Sequence, residues 1–176
     1  MRISFVFALL LMFSCNSKKE LPTVQNLEIE KYAGTWYEIA KLPNSFEKNL
    51  ECVSATYSLQ DDGKIAVFNK GKKTNGDSAW KTIKGSAKIP DSNEPGRLKV
   101  TFFWPFAGDY YVIDLADDYS YALVGSPDRK YLWILSRETT LNKAIYSRLV
   151  ERAKELEFPV ELIERMNQSC ESQKDG

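Results

Sequence analysis

The sequence predicts an all-β domain: eight short antiparallel strands forming a sandwich or barrel, followed by one amphipathic helix packed on the outside. Three observations carry that prediction. β-Branched and aromatic segments recur from Tyr32 to Ser136 with period-two alternation between turn-forming residues, as closely spaced antiparallel strands require. Beyond residue 139 the period changes, and Leu141, Ile145, Leu149, Ala153 and Leu156 recur every three or four residues. The chain has 176 residues, 43% of them apolar and 27% charged, which suits one domain with a core and not a disordered chain.

The N-terminus stands apart from that domain. Arg2 precedes an apolar run from Phe5 to Phe13, shorter than the roughly 20 residues a spanning helix needs. It has the form of a secretory signal. Ser14 then stands before Cys15, which resembles a bacterial lipobox and implies cleavage before Cys15 and lipidation of that residue. The polar, Pro-broken stretch that follows reads as a tether. The expected division is a signal peptide over 1–14, a lipidated N-terminus and tether over 15–23, and a domain over 24–176. Asn16 is not the aspartate associated with inner-membrane retention, so the outer membrane is the expected destination.

The strands follow in order. Thr35 to Leu42 is the first. Val53 to Leu59 alternates with one apolar face, Asp61-Asp62-Gly63 makes a hairpin turn, and Ile65 to Asn69 returns. Trp80 to Ile89 and Leu98 to Phe102 flank a polar loop from Pro90 to Gly96. Tyr110 to Leu115, Tyr119 to Gly125 and Tyr131 to Ser136 are divided by Asp117-Asp118 and Ser126-Pro127-Asp128. Thr139 and Thr140 offer a cap for the helix, and Pro159 stops it. Eight antiparallel strands can close into a barrel wide enough for one small ligand.

Composition removes several function classes. There is no His, so no Ser-His-Asp triad, Cys-His pair or imidazole zinc ligand is available. The 24 Lys and Arg balance 24 Asp and Glu, which gives no general attraction to nucleic acid. No metal or cofactor motif is present. With Cys15 lipidated, Cys52 and Cys170 remain as an even pair in an oxidising compartment; spacing leaves open whether they bridge or are separate buried thiols.

Gly34-Thr35-Trp36, opening the first strand, resembles the first signature of the lipocalin family. Asp118-Tyr119 resembles the second, with Asp117 where that pattern has Thr, and Arg137 after the eighth strand resembles the third. From Val24 to Cys170, stretches such as Tyr-Leu-Trp-Ile-Leu-Ser-Arg resemble the outer-membrane bacterial lipocalins and apolipoprotein D. The resemblance implies an eight-stranded up-and-down antiparallel β-barrel. It makes Gly34, Trp36, Asp118, Tyr119 and Arg137 structural, with the Arg137 guanidinium stacked over the Trp36 indole at the closed end. It also implies a Cys52–Cys170 bridge.

Parity then names a lining. If Cys52 faces out, Val53, Ala55, Tyr57 and Leu59 face in, followed by Ile65, Val67 and Asn69 across the hairpin, then Leu98, Val100 and Phe102, then Trp133 and Leu135. Tyr57, Asn69 and Trp133 also resemble ligand-lining positions of the family. Tyr57, Val67, Asn69, Phe102, Trp133 and Leu135 are the expected ligand contacts, in a mostly apolar chamber with few polar groups. The aromatic segment from Phe102 to Phe106 fits a mouth lip, a membrane contact or a homodimer face. Asp114, in an apolar strand, has no assigned side. The expected function is a non-enzymatic, membrane-anchored carrier of a fatty acid, lysophospholipid or similar lipid. The alternative is a lipid-modifying enzyme of isomerase or de-epoxidase type. Its candidates, Glu38, Glu47, Glu51 and Asp114, belong to no catalytic motif.

Overall fold

The computed structural model describes residues 20–76 and 79–170, so Cys15 and the start of the tether lie outside the described residues. Eight strands make the barrel wall: β1 (Gly34–Lys41), β2 (Leu50–Leu59), β3 (Ile65–Lys73), β4 (Trp80–Lys88), β5 (Arg97–Phe103), β6 (Phe106–Leu115), β7 (Tyr121–Gly125) and β8 (Leu132–Ser136). Each pairs antiparallel with the next, and β1 pairs with both β8 and β2, which closes the ring. A short helix α1 (Ile29–Tyr32) precedes β1, and α2 (Lys143–Glu155) follows β8.

Alternation along the strands divides the buried residues into two bodies. Trp36, Tyr57, Ile65, Val67, Ala87, Leu98, Val112, Val124 and Leu135 meet inside the barrel. Ile39, Ile113, Leu123 and Ile134 face outward and meet Leu149, Ala153 and Leu156 of α2. The helix stripe therefore covers one outer face of the sheet. Leu21 is also buried in that outer body, and the Val24 amide donates to the Val112 carbonyl at 2.9 Å. The chain thus packs from Leu21 onward, ahead of the expected boundary at residue 24.

Three local features differ from the sequence reading. The cap of α2 is Asn142, not Thr139 or Thr140: its Oδ1 accepts from the amides of Ala144 and Ile145 at 2.8 and 3.4 Å. The helix ends before Pro159, because the chain turns through Glu157 at φ 65°. A two-residue strand β9 (Glu164–Arg165) pairs with Ala40 and Lys41.

The strand β9 leads into a tail that seals a gap. β1 and β2 pair only from Gly34 to Tyr37, because a bulge between Glu51 and Ser54 bends β2 away. The tail fills the opening: Met166 donates to the Ile39 carbonyl, Cys52 to the Asn167 carbonyl, and Gln168 Nε2 to the carbonyls of Glu38 and Val53. Cys170 is bonded to Cys52, with Cα atoms 6.1 Å apart.

The closed end is held by one side chain. The Arg137 guanidinium lies 3.9 Å from the Trp36 ring centroid. It donates to the carbonyls of Lys31, Tyr32 and Ala33 from Nη2, Thr35 from Nη1 and Tyr119 from Nε. Gly34 sits at φ 97°, and a Cβ there would come within 3.1 Å of Arg137 Nη1. Tyr119, at φ 58°, places its hydroxyl to accept from the Glu28 amide, while Asp118 Oδ1 accepts from the Ser120 amide and hydroxyl.

Candidate ligand site in the barrel lumen

Burial of inward-facing residues falls toward one end of the barrel on β4 and β5, while on β1 Trp36, Glu38 and Lys41 all stay buried. On β4 it passes from Ala87, buried, through Ile83, half-buried, to Lys81, exposed. On β5 Leu98 is buried while Val100 and Phe102 are half-buried, although all three lie on the inner face. Surface left on such residues faces a lumen, closed at the Trp36 end and open at the other. Phe102 enters that lumen because β4 carries Gly85 opposite it: a Cβ there would lie 2.7 Å from the Phe102 ring.

The floor is a chain of tyrosines. The Tyr32 and Tyr110 hydroxyls are 2.7 Å apart, and the Tyr57 hydroxyl donates to that of Tyr110 at 3.0 Å. Burial pushes the Tyr57 hydroxyl up to about 12, and raises Tyr32 and Tyr110 further in the same direction. All three stay neutral at physiological pH and act as hydrogen-bonding groups. Val67 and Leu135 are buried in the wall between floor and mouth.

Midway up, two oxygens lack partners. Glu38 is opposite Leu135 on β8 and so shares its inward face. It is 3% exposed, and its Oε1 has no hydrogen-bond partner among the described residues. Burial pushes its carboxyl well above the usual range, the neighbouring Glu47 carboxyl pushes the same way, and Lys41 opposes both. Asn69 lies opposite Ala55, which lies opposite Trp36, and its Oδ1 is likewise buried without a partner.

The mouth is aromatic and charged. Trp133 lies opposite Lys41 and stacks on Tyr131 at 5.9 Å, with Phe46 beside both. Its Nε1 donates to Glu47 Oε2 at 3.3 Å, which also accepts from Asn44 Nδ2 at 2.6 Å. Burial raises the Glu47 carboxyl, and those two bonds pull it back. Trp133 and Tyr57 therefore sit at opposite ends of the lumen, one against Lys41 and the other against Gly34 on β1. The hairpin between β5 and β6 turns at the same end, with Phe103, Trp104 and Phe106 exposed at 71, 88 and 77%. A cleft of about 680 Å³ opens beside the mouth, but its walls include Lys41, Glu47, Lys48, Glu51, Glu164 and Arg165, which suit water better than an alkyl chain.

The acidic candidates for catalysis separate. Asp114 faces outward to α2, where Arg148 donates to both of its oxygens at 2.8 and 3.2 Å. Glu51 accepts from Asn167 Nδ2 at 2.8 Å. Glu38 and Glu47 remain in the lumen. Sequence reasoning named neither as a ligand contact, although period two from Trp36 points Glu38 inward. It also missed Tyr32 and Tyr110, which meet across 78 residues of chain.

The family model for a lipocalin-like domain matches residues 27–168. The chain is 41% identical to the outer membrane lipoprotein Blc of Citrobacter freundii over 161 residues, covering 90% of each chain. It is 41% identical to apolipoprotein D of Rattus norvegicus over 128 residues, covering 68% of this chain and 66% of that one. Insecticyanin from the tobacco hornworm Manduca sexta shares the fold with a TM-score of 0.69 at 24% identity, covering 86% of each chain.

Proposed function

The chain belongs to the lipocalin family, and from that premise we propose that its barrel binds and carries a single-chain lipid or similar lipophilic molecule within the bacterial cell envelope. The observation that carries the reading is the lumen: on β4 and β5 the inward residues lose burial step by step toward one end, between aliphatic and aromatic walls. A chain entering it gains about 0.8 kcal/mol for each methylene removed from water.

The placement in the envelope rests on two supports. One is Ser14-Cys15 directly after an apolar run, with residues 1–14 as the signal and Cys15 as the lipid anchor. The other is the similarity to a protein named an outer membrane lipoprotein. The Cys52–Cys170 bridge suits the same oxidising compartment. Tyr57, Val67, Asn69, Phe102, Trp133 and Leu135 are the ligand contacts on this reading, from floor to mouth, and the exposed aromatic hairpin is its lip.

Carriage is favoured over catalysis because Asp114 and Glu51 are engaged elsewhere, and of the two carboxyls left in the lumen Glu47 is already held by Asn44 and Trp133. Lipids extracted from the purified protein and identified by mass spectrometry test the proposal. A saturable lipid recovered unchanged supports it. A lipid converted on incubation, or a barrel that neither retains nor takes up any lipid, overturns it.

A further inference from the structure

One side of the barrel wall carries positive charge without its counterpart. The whole chain balances 24 Lys and Arg against 24 Asp and Glu, yet β3, β4 and β5 together hold eight Lys and Arg and no Asp or Glu. Ile65 and Val67 on β3, Ala87 on β4 and Leu98 on β5 point inward, so Lys70, Lys72, Lys84, Lys88 and Lys99 point outward. Lys88 stands directly opposite Lys99, where like charges repel, and Asp109 meets only Lys99, at 2.6 Å. Among the described residues, Lys70, Lys72, Lys84 and Lys88 enter no ion pair.

Exposed aromatic rings adjoin this face. Ser86 pairs with Thr101, so Lys84 stands level with Phe103, and it lies opposite Phe68 on its other side. The ladder between β4 and β5 stops at Ser86, and beyond it the hairpin stands clear. Its Phe103, Trp104 and Phe106 are the most exposed large apolar side chains among the described residues. Rings bordered by unpaired lysines suit an anionic bilayer: the rings settle among the head groups and the ammonium groups meet phosphates. A second copy of the chain, related by a two-fold axis, would instead set lysines against lysines.

The tether leaves from the same strand pair. Arg97 Nη2 donates to Glu20 at 2.7 Å, and the Val24 amide donates to the Val112 carbonyl, which places the N-terminal segment at the floor end of β5 and β6. Cys15 lies within about 18 Å of Glu20 even with the chain fully extended between them. From Arg97 to Phe103, β5 runs about 20 Å. A membrane surface lying along β5 therefore meets the anchor at one end and the aromatic hairpin at the other.

We propose that the β3–β5 side of the barrel, with the hairpin at its end, docks on the anionic phospholipid surface of the membrane that holds the anchor. The proposal rests on the anchored-carrier reading above and adds the face on which the barrel sits. The barrel lies on its flank, and its mouth opens beside the head groups.

The test binds protein isolated with its anchor to vesicles of phosphatidylcholine, alone or mixed with phosphatidylglycerol, whose brominated acyl chains quench tryptophans that reach them. Flotation on phosphatidylcholine reads the anchor, and quenching reads the docked face. Emission should be quenched on the phosphatidylglycerol vesicles, and Trp104→Phe should remove that quenching. The double variant Lys84→Gln, Lys88→Gln, at two exposed positions, should lower the ratio of docked to undocked molecules about tenfold, and salt should act in the same direction. Quenching that is equal on both lipids and unmoved in the double variant overturns the lysine face. Floating protein whose Trp104 is quenched on neither lipid overturns the docking surface and leaves the anchor standing. A wild type that sediments as a dimer in detergent, with Trp104→Ser a monomer, gives the hairpin to a second copy and overturns the proposal too. Flotation with phosphatidylglycerol alone supports the face and removes the anchor, and flotation on neither removes both.

Discussion

Replacing Arg137 with alanine should unfold the barrel from its closed end. The guanidinium donates to the Tyr32, Ala33 and Thr35 carbonyls at 3.1, 2.9 and 3.0 Å, in a partly shielded setting, and its bond to Lys31 is exposed. Charge-assisted bonds run to roughly 1.5–3 kcal/mol, but this side chain is only half-buried, so about 1 kcal/mol for each shielded carbonyl is the fair figure. The stack on Trp36 at 3.9 Å adds about 1 kcal/mol. The total is about 3–4 kcal/mol, which with a urea slope near 2 kcal/mol/M lowers the midpoint by roughly 1.5–2 M. Arg137→Lys should recover less than half, because a point ammonium cannot fork to five carbonyls while lying flat on an indole. Urea titration followed by far-ultraviolet circular dichroism reads the midpoint, and probe displacement below the transition reads lipid affinity. Affinity should hold, since the stack lies at the far end from the mouth. An unchanged midpoint together with lost affinity would refute the assignment of Arg137 to the fold.

Three other outcomes are expected. Metabolic palmitate should label the wild type and not Cys15→Ala; equal label in both removes the anchor. Peptide mapping without reduction should recover Cys52 and Cys170 in one linked species, and the double serine variant should lose up to about 4–5 kcal/mol, the value for a closed loop of over 100 residues; two freely alkylated thiols in envelope-isolated protein would contradict the bridge. Burial holds the Glu38 carboxyl well above the usual carboxylate range in the folded chain, so the folded state keeps a proton that the unfolded state releases, and wild-type stability declines as pH rises from about 4.3 through the folded value. Glu38→Gln should match the wild type in acid and exceed it above that window; parallel pH profiles would mean that Glu38 is not buried as described.

Much of the fold is legible in the chain because strand alternation is local. Ile65 and Val67, or Leu98 and Val100, declare their face through their immediate neighbours. Legibility fails where the backbone changes the count. Between Val112 and Asp114 a bulge inserts a residue, so Val112 faces in while both Ile113 and Asp114 face out, and no alternating pattern could give Asp114 its side. The helix start is misread because Thr139 and Thr140 have the residue type of a cap, whereas the amides of Ala144 and Ile145 reach Asn142 instead. Of the lumen, Tyr57, Val67 and Leu135 follow from parity. The tyrosine chain does not, because Tyr32 reaches it from a helix outside the strands. Glu38 follows from parity too, once the count is carried on from Trp36.

The tail from Met166 to Cys170 has a consequence for the order of events in the life of the chain. Because β1 and β2 separate after Tyr37, the wall between them is made by residues that are synthesised more than a hundred positions later. A chain that emerges N-terminus first, from a ribosome or through an export channel, therefore stays an unfinished stave vessel until its final segment arrives. Such a chain keeps this gap in its wall until that segment arrives, and the bond from Cys170 to Cys52 then fixes the last stave in place in an oxidising compartment.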